Sequence, residues 1–332
     1  MAGIQTVEKM ILTVTLNPLL EKRYFFKDVE LGKSHRCFKE ELSAGGKGIN
    51  ISRQLNLLGM KNSAYTFLGG NNGKLLRSLL THEQIEYSSV STRSETSTAD
   101  LIIEESNHRI TTFFGVNSPI TKEESDQFKE KIEKMIQNCS IAVFSGSSPC
   151  KETDDIFPYA IDLANKHDKI SILDTYGPHL SHCIDALPTV VHNNVSEVEE
   201  SLGINLKSET EKIDYLDNLY KKGIKLAFLT DGPNPFYASK YDFHYRIIPP
   251  YVNEVDSTGS GDAFTAGLVY GLENSIVFDE FVKIAAALGA ANASMLDTCS
   301  VSKEMLDTFR SEIKIEPIGK RMKLIDDSPT TH

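Results

Sequence analysis

Short apolar runs alternate with amphipathic stretches along this chain. Met10–Leu16 is β-branched and apolar and stops at Asn17-Pro18, which predicts a buried strand opening into a loop. After the glycine-rich turn Ala44–Gly48, residues Ile49, Ile51, Leu55 and Leu58 share one helical side, and Gly59 ends the helix. A strand is predicted over Ser63–Leu68 and a helix over Gly73–Glu83. Ala99–Glu104 and Arg109–Phe114 read as a hairpin turned at Ser106-Asn107. Lys122–Asn138 reads as an amphipathic helix and Ser140–Phe144 as a strand running into Ser145-Gly146-Ser147-Ser148-Pro149. In the second half, strands are predicted at Ile170–Leu173, Thr189–His192 and Lys225–Thr230, each followed by a helical stretch. A hairpin is predicted within 236–250, and helices over Ala263–Leu272, Val277–Leu296 and Lys303–Arg310.

This alternation predicts an α/β fold, a mainly parallel sheet with helices on both faces. Ligands gather beyond the carboxyl ends of such strands, here at Asn17, Gly69, Ser145, Asp174, Asn193 and Asp231. The half-exposed pieces around Tyr24, Phe26 and Asp28, and around Cys37, Lys39 and Glu41, do not fit a sheet buried on both faces.

Composition narrows the function. The 332 residues are 40% hydrophobic, as in globular proteins, and 35 basic against 46 acidic side chains leave a net charge of −11. That balance argues against a nucleic-acid partner. Met10–Leu16 is too short to span a membrane, so no membrane partner is expected. Five cysteines without a CxxC pair make neither a disulfide framework nor a zinc cluster and fit a reducing cytoplasm, the expected location. The histidines show no metal-ligand spacing and are read as structural, and Ser147 lacks the context of a hydrolase nucleophile.

Two stretches carry chemistry. In Asp256-Ser257-Thr258-Gly259-Ser260-Gly261-Asp262, glycines flank a serine where a helix begins. The N–H groups there lack intrahelical partners and face the positive end of the helix dipole, which suits a phosphate. An aspartate at that point is either a helix cap or a base that takes a proton from a hydroxyl attacking the phosphate. In Gly45-Gly46-Lys47-Gly48-Ile49-Asn50, the bare glycines allow a substrate to approach the backbone, Lys47 adds a positive charge and Asn50 an amide. GxxxxGK[ST] is absent, so this is not a Walker A loop.

Together these stretches resemble the two signatures of the ribokinase-like, or PfkB, carbohydrate kinases. Thr15-Leu16-Asn17-Pro18, Leu31-Gly32, Leu58-Gly59 and Ser145–Pro149 are most similar to the 1-phosphofructokinase and tagatose-6-phosphate kinase branch. The resemblance implies a three-layer α/β/α core over 1–18, 45–91 and 118–314, a small β-sheet lid from 19–44 and 92–117, and a polar tail at 315–332. It implies Asp262 as catalytic base and Gly259, Ser260 and Gly261 as donors to the transferred phosphoryl group. Asn17, Glu21, Arg36, Gly45, Gly46, Lys47, Asn50 and Arg109 would meet the sugar. Asn194, Thr230, Gly232 and Asn292 would meet ATP, and Glu197 of Asn194-Val195-Ser196-Glu197 would order Mg²⁺. Homodimers paired through the lid are also implied.

The chain departs from that branch in two places. Glu21 stands where the branch carries aspartate after Asn-Pro, one methylene longer. The branch's second lid arginine lies in a Thr-Arg-x-Asn segment, against which this chain offers either Thr92-Arg93-Ser94-Glu95 or Thr96-Ser97-Thr98. The expected activity is ATP-dependent phosphorylation of a phosphorylated ketohexose of the fructose 1-phosphate or tagatose 6-phosphate type. The alternatives are an unphosphorylated sugar or nucleoside as acceptor, or a silent sugar-binding protein on the same fold.

Overall fold

The structure, a computed structural model, describes residues 10–318, so the N-terminal residues 1–9 and the expected tail beyond 318 lie outside the described residues. In chain order the strands and helices are β1 (Ile11–Thr15), β2 (Leu19–Phe26), β3 (Lys39–Gly45), α1 (Lys47–Leu57), β4 (Asn62–Gly69), α2 (Gly70–His82), β5 (Tyr87–Thr92), β6 (Ser97–Glu104), β7 (Arg109–Phe114), α3 (Lys122–Asn138), β8 (Ile141–Ser145), α4 (Ile156–Lys166), β9 (Ile170–Asp174), α5 (Leu180–Asp185), β10 (Val190–Asn194), α6 (Val195–Leu202), α7 (Glu209–Lys222), β11 (Leu226–Thr230), β12 (Phe236–Lys240), β13 (Phe243–Ile248), α8 (Ser260–Glu273), α9 (Phe278–Ala293), α10 (Lys303–Arg310) and β14 (Lys314–Ile318).

The main sheet has 10 strands in the order β14-β13-β12-β11-β10-β9-β8-β1-β4-β5. It is parallel from β11 through β5 and antiparallel at the β12, β13 and β14 edge. β1, β4 and β8 are buried along their whole length, which explains why apolar residues such as Ile11, Val14, Phe67 and Phe144 dominate them without strict alternation. One apolar layer, with Phe128, Phe157 and Leu216, packs under α3 to α7. The other, with Leu55, Phe264 and Phe281, packs under α1, α8, α9 and α10. Three layers result. α8 and α9 meet closely because Gly267 and Gly271 carry no side chain: an added Cβ would lie 2.4 Å from Ala285 Cα and 2.1 Å from Phe281 Cβ.

The chain leaves this core twice, after β1 and after β5, and the two excursions join in a 4-stranded sheet of order β3-β2-β6-β7. β2 pairs β6 in parallel, from Leu19 opposite Ser97 to Phe26 opposite Glu104. These are the half-exposed segments that could not belong to the buried sheet.

Two elements differ from expectation. The first residues of the expected polar tail, Ile315–Ile318, belong to strand β14 against β13. Tyr87–Thr92 was not expected as a strand. It is a serine-rich edge partner of β4, and an edge needs no continuous apolar face. Among the described residues, no helix is long and apolar enough to cross a membrane.

Candidate active site

The site forms where the carboxyl ends of the parallel strands meet the N-terminus of α8. Gly259, the residue before that helix, has φ of +77°, and a Cβ there would lie 2.1 Å from Thr298 Cγ2. Both the conformation and the space demand glycine. Asn292 of α9 fixes the loop: its Nδ2 donates to Thr258 O at 2.8 Å and to Ser260 Oγ at 3.1 Å, and its Oδ1 accepts from Cys299 N at 2.7 Å. Ser260 N–H donates to Ser257 O at 3.1 Å, and the neighbouring Gly259 and Gly261 N–H groups are thereby held ready for an anion.

Asp262 lies in this first turn and is 4% exposed. Its Oδ2 accepts from Asn50 Nδ2 at 2.8 Å, which joins the two glycine motifs across 212 residues of sequence. Asn50 is held in turn by Arg53, whose guanidinium donates to Asn50 Oδ1 at 2.8 Å, Ala44 O at 2.6 Å and Glu83 Oε2 at 2.6 Å. Lys47 opens α1, and its Nζ bridges Asp174 Oδ1 at 2.8 Å and Glu197 Oε1 at 2.7 Å. Asp174 Oδ2 also accepts from Thr265 Oγ1 at 2.9 Å. His192 stacks on Phe264 and reaches Thr265 Oγ1 at 3.0 Å.

Burial pushes the Asp262 carboxyl up to about 7; Lys47 opposes that rise, and the neighbouring Asp174 reinforces it. Burial alone would lower Lys47, but Asp174, Glu197 and Asp262 outweigh it and keep the ammonium charged. Burial likewise works against ionisation of Asp174, yet Lys47 and His192 hold its carboxyl well below the usual range. One buried carboxyl poised near neutrality beside one fixed as an anion is the arrangement that general base chemistry requires.

A cavity of about 670 Å³ opens beside this cluster, lined by Lys47, Glu197, Thr230, Gly232, Ser260 and Gly261 among others. Asn194 and Glu197 form a capping box at the start of α6: Asn194 Oδ1 accepts from Glu197 N at 2.8 Å, and Glu197 Oε2 accepts from Asn194 N at 3.1 Å. Asn194→Ala should cost about 1 kcal/mol of stability in denaturant titration. Among the described residues, no group of three or more His, Cys, Asp or Glu could hold a metal. Magnesium keeps most of its waters and needs few protein ligands, so a single cavity-facing Glu197 fits an ion carried on a triphosphate.

Residues 15–304 match the model of the pfkB family carbohydrate kinases. The chain belongs to that family. Tagatose-6-phosphate kinase of Staphylococcus epidermidis is 26% identical over 309 residues, covering 92% of this chain and 99% of that protein. A Thermotoga maritima protein described as a possible 1-phosphofructokinase superposes with a TM-score of 0.86 at 25% identity, covering 93% of this chain and 100% of that one. Phosphofructokinase-2 of Escherichia coli, solved with substrates and products, has the same fold with a TM-score of 0.83 at 22% identity, covering 91% and 98%. The expected family and fold are borne out, and the chain is a carbohydrate kinase.

Within this kinase the expected site residues fall into groups. Asp262, Gly259, Ser260, Gly261, Asn50, Lys47, Asn194 and Glu197 belong to the loop, cluster and capping box just described, and Thr230 and Gly232 line the cavity. Asn17 stands at the end of β1, its Nδ2 donating to Asn117 Oδ1 at 3.0 Å and Ser147 Oγ at 3.2 Å. Gly46 has φ of +117°, which glycine permits. Gly45 is bare for a reason other than substrate approach: an added Cβ would lie 2.3 Å from Glu21 Oε1, so the longer carboxylate of this chain uses that space.

Two expectations are corrected. Arg109 forks onto Glu104 at 2.6 and 2.9 Å, at the end of the hairpin seven residues along β6 from the site end, roughly 23 Å away. It braces the hairpin, and its guanidinium is taken up by Glu104. Asn292 has both side-chain atoms occupied by the glycine loop and does not line the cavity; Gly289, Ala290 and Ala293 of the same helix do. Arg36 is exposed between β2 and β3, apart from the cluster. Asp174 was expected only as a strand end where ligands gather, with no role given, and His192, Thr265 and Arg53 were not singled out as site residues. The available signal was position, since Asp174 and His192 lie at or near the ends of adjacent parallel strands.

Proposed function

We propose that this kinase transfers the γ-phosphoryl group of ATP to a hydroxyl of a phosphorylated ketohexose of the fructose 1-phosphate or tagatose 6-phosphate type. The hydrogen bond from Asn50 to the buried Asp262 carries this reading, because it joins the acceptor-side glycine turn to the anion-binding loop in one place. Asp262 takes the proton as the acceptor oxygen bonds to the γ-phosphorus, and the bond to the β,γ-bridging oxygen breaks to release ADP. The N–H groups of Gly259 and Gly261 meet the charge that develops on the transferred group, each worth about 3 kcal/mol when aimed at the transition state, while the Ser260 N–H closes the loop onto Ser257 O at 3.1 Å. Glu197, with Asn194 behind it, would hold magnesium through water, and the ion would neutralise charge on the triphosphate. Lys47 pairs with Asp174 and Glu197 and holds Asp174 ionised.

The 4-stranded sheet from 19–44 and 92–117 serves as a lid that excludes water. Its exposed Phe38, Phe113 and Phe114 support pairing of lids in a homodimer. Arg36 is exposed at the same end of the lid as Arg109, next to His35, which packs on Phe26 opposite Glu104, but it lacks Arg109's carboxylate partner among the described residues; we assign it to the substrate's existing phosphate, reached across the paired lids.

A neutral sugar or nucleoside acceptor is the second reading. It is the reading that follows if Ser97, which opens β6 opposite Leu19, and not Arg93 before the strand, matches the branch's second lid arginine. ATP consumption over phosphosugars, free sugars and nucleosides separates the two. Turnover of phosphosugars alone, with KM raised at least ~10-fold by Arg36→Ala and unchanged by Arg109→Ala, is expected. Turnover confined to neutral acceptors would reverse the choice.

A further inference from the structure

Arg23 is a charged residue in the lid strand β2 whose side chain is 7% exposed. On the same strand face, two residues earlier, Glu21 covers Gly45, and its carboxylate lies 3.7 Å from Arg23 Nη2. Glu21 is also nearly buried and, among the described residues, accepts no hydrogen bond, and burial raises its carboxyl even though Arg23 opposes the rise. The far side of the guanidinium leaves the lid altogether. Nη1 donates to Leu296 O at 3.1 Å and Nη2 to Thr298 Oγ1 at 3.0 Å. Thr298 is the residue whose Cγ2 packs against Gly259, and the adjacent Cys299 Sγ reaches Gly259 O at 3.4 Å. One guanidinium therefore spans from the carboxylate over the acceptor-side glycine turn to the segment that backs the anion loop.

Packing alone is a poor account of this placement. A buried charge is costly and is often replaceable by an apolar residue of similar size without loss of stability. A rigid planar fork, by contrast, can hold acceptors from two separate parts of the fold at fixed spacing. We infer that Arg23 is a positioning residue, setting the distance between the acceptor-binding carboxylate Glu21 and the Gly259–Gly261 loop. The inference rests on the kinase reading above. Its effect would fall on turnover, since displacements of about 1 Å between reacting groups cost orders of magnitude in rate.

Thr298→Val tests this with little disturbance, because it keeps the methyl against Gly259 and removes only the acceptor. With tagatose 6-phosphate and MgATP, kcat should fall about 10-fold while KM for the sugar moves less than ~2-fold. Glu21→Gln combined with Thr298→Val should depart from the product of the single effects by at least ~5-fold, and that coupling should vanish in an Arg23→Met background. If Arg23→Met does not fold, Arg23→Lys takes its place, keeping the charge and losing the fork. Additive effects in both backgrounds, or an unchanged kcat in Thr298→Val, would overturn the inference. If no acceptor in the panel is phosphorylated, the functional reading fails separately. The same cycle is then read from amide hydrogen exchange at 258–262 in the ligand-free protein, where additivity again overturns the relay and coupling through Arg23 sustains it.

Discussion

Asp262→Asn is expected to fold normally and lose at least ~100-fold in turnover. The substitution keeps the shape, and Asn50 Nδ2 can still donate to the amide oxygen in place of Asp262 Oδ2. What disappears is the carboxylate that burial poises near neutrality beside the anion loop, while Asp174 and Glu197 are both paired to Lys47. Stability should move the other way. Asp262 titrates at about 7 in the folded chain against 3.8 ordinarily, so the folded state takes up a proton between those values. Its contribution to stability is complete below pH 3.8 and declines as pH rises through about 7. At pH 8 the wild type carries the cost of a buried anion that the amide does not. Denaturant titration at pH 8 should show Asp262→Asn at least as stable as wild type, alongside its loss of kcat. Near-normal turnover would remove Asp262 from the role of base.

Lys47→Met should have the second largest effect, through charge balance. Lys47 Nζ is the cation paired to Asp174 and Glu197, and it also lowers the carboxyl of Asp262. Removing one partner from a buried pair commonly costs 3–5 kcal/mol, and with the lysine side chain 21% exposed the lower end, about 3 kcal/mol, is expected. Asp262 would lose a lowering influence while Asp174 and Glu197 still raise it. The acid limb of the kcat profile should then move to higher pH, so that activity falls most below neutrality and is partly restored in alkaline buffer. A uniform loss at every pH would show that Lys47 acts on substrate and not through Asp262.

The parallel core was readable from sequence because strands buried on both faces are written as near-continuous apolar runs, as in Ile11–Thr15 and Ile141–Ser145. The edge strands Tyr87–Thr92 and Lys314–Ile318 were not, because half-buried edges can be built from polar residues. At the site, Asp262 and Asn50 were legible because each lies in a short motif whose glycines demand explanation. Asp174 was legible as a position at the ligand end of the sheet but not as a partner of Lys47, since an aspartate after a strand looks the same whether it caps a turn or meets a lysine 127 residues away. Arg109 misled for the opposite reason. Its partner Glu104 is five residues distant, and a local pair of that kind leaves no mark that distinguishes it from a free arginine. Glu21 was recognised as a departure, but its buried partner Arg23 and the space it takes above Gly45 depend on how two strands lie against the core.

The most direct test of the central claim is a crystal structure of the kinase with tagatose 6-phosphate, magnesium and a non-hydrolysable ATP analogue. The account predicts an Asp262 carboxylate oxygen about 3 Å from the acceptor hydroxyl, with that hydroxyl in line with the γ-phosphorus and the Gly259 and Gly261 N–H groups facing the γ-phosphoryl oxygens. An acceptor hydroxyl bound out of reach of Asp262, with a different group poised to take its proton, would contradict it.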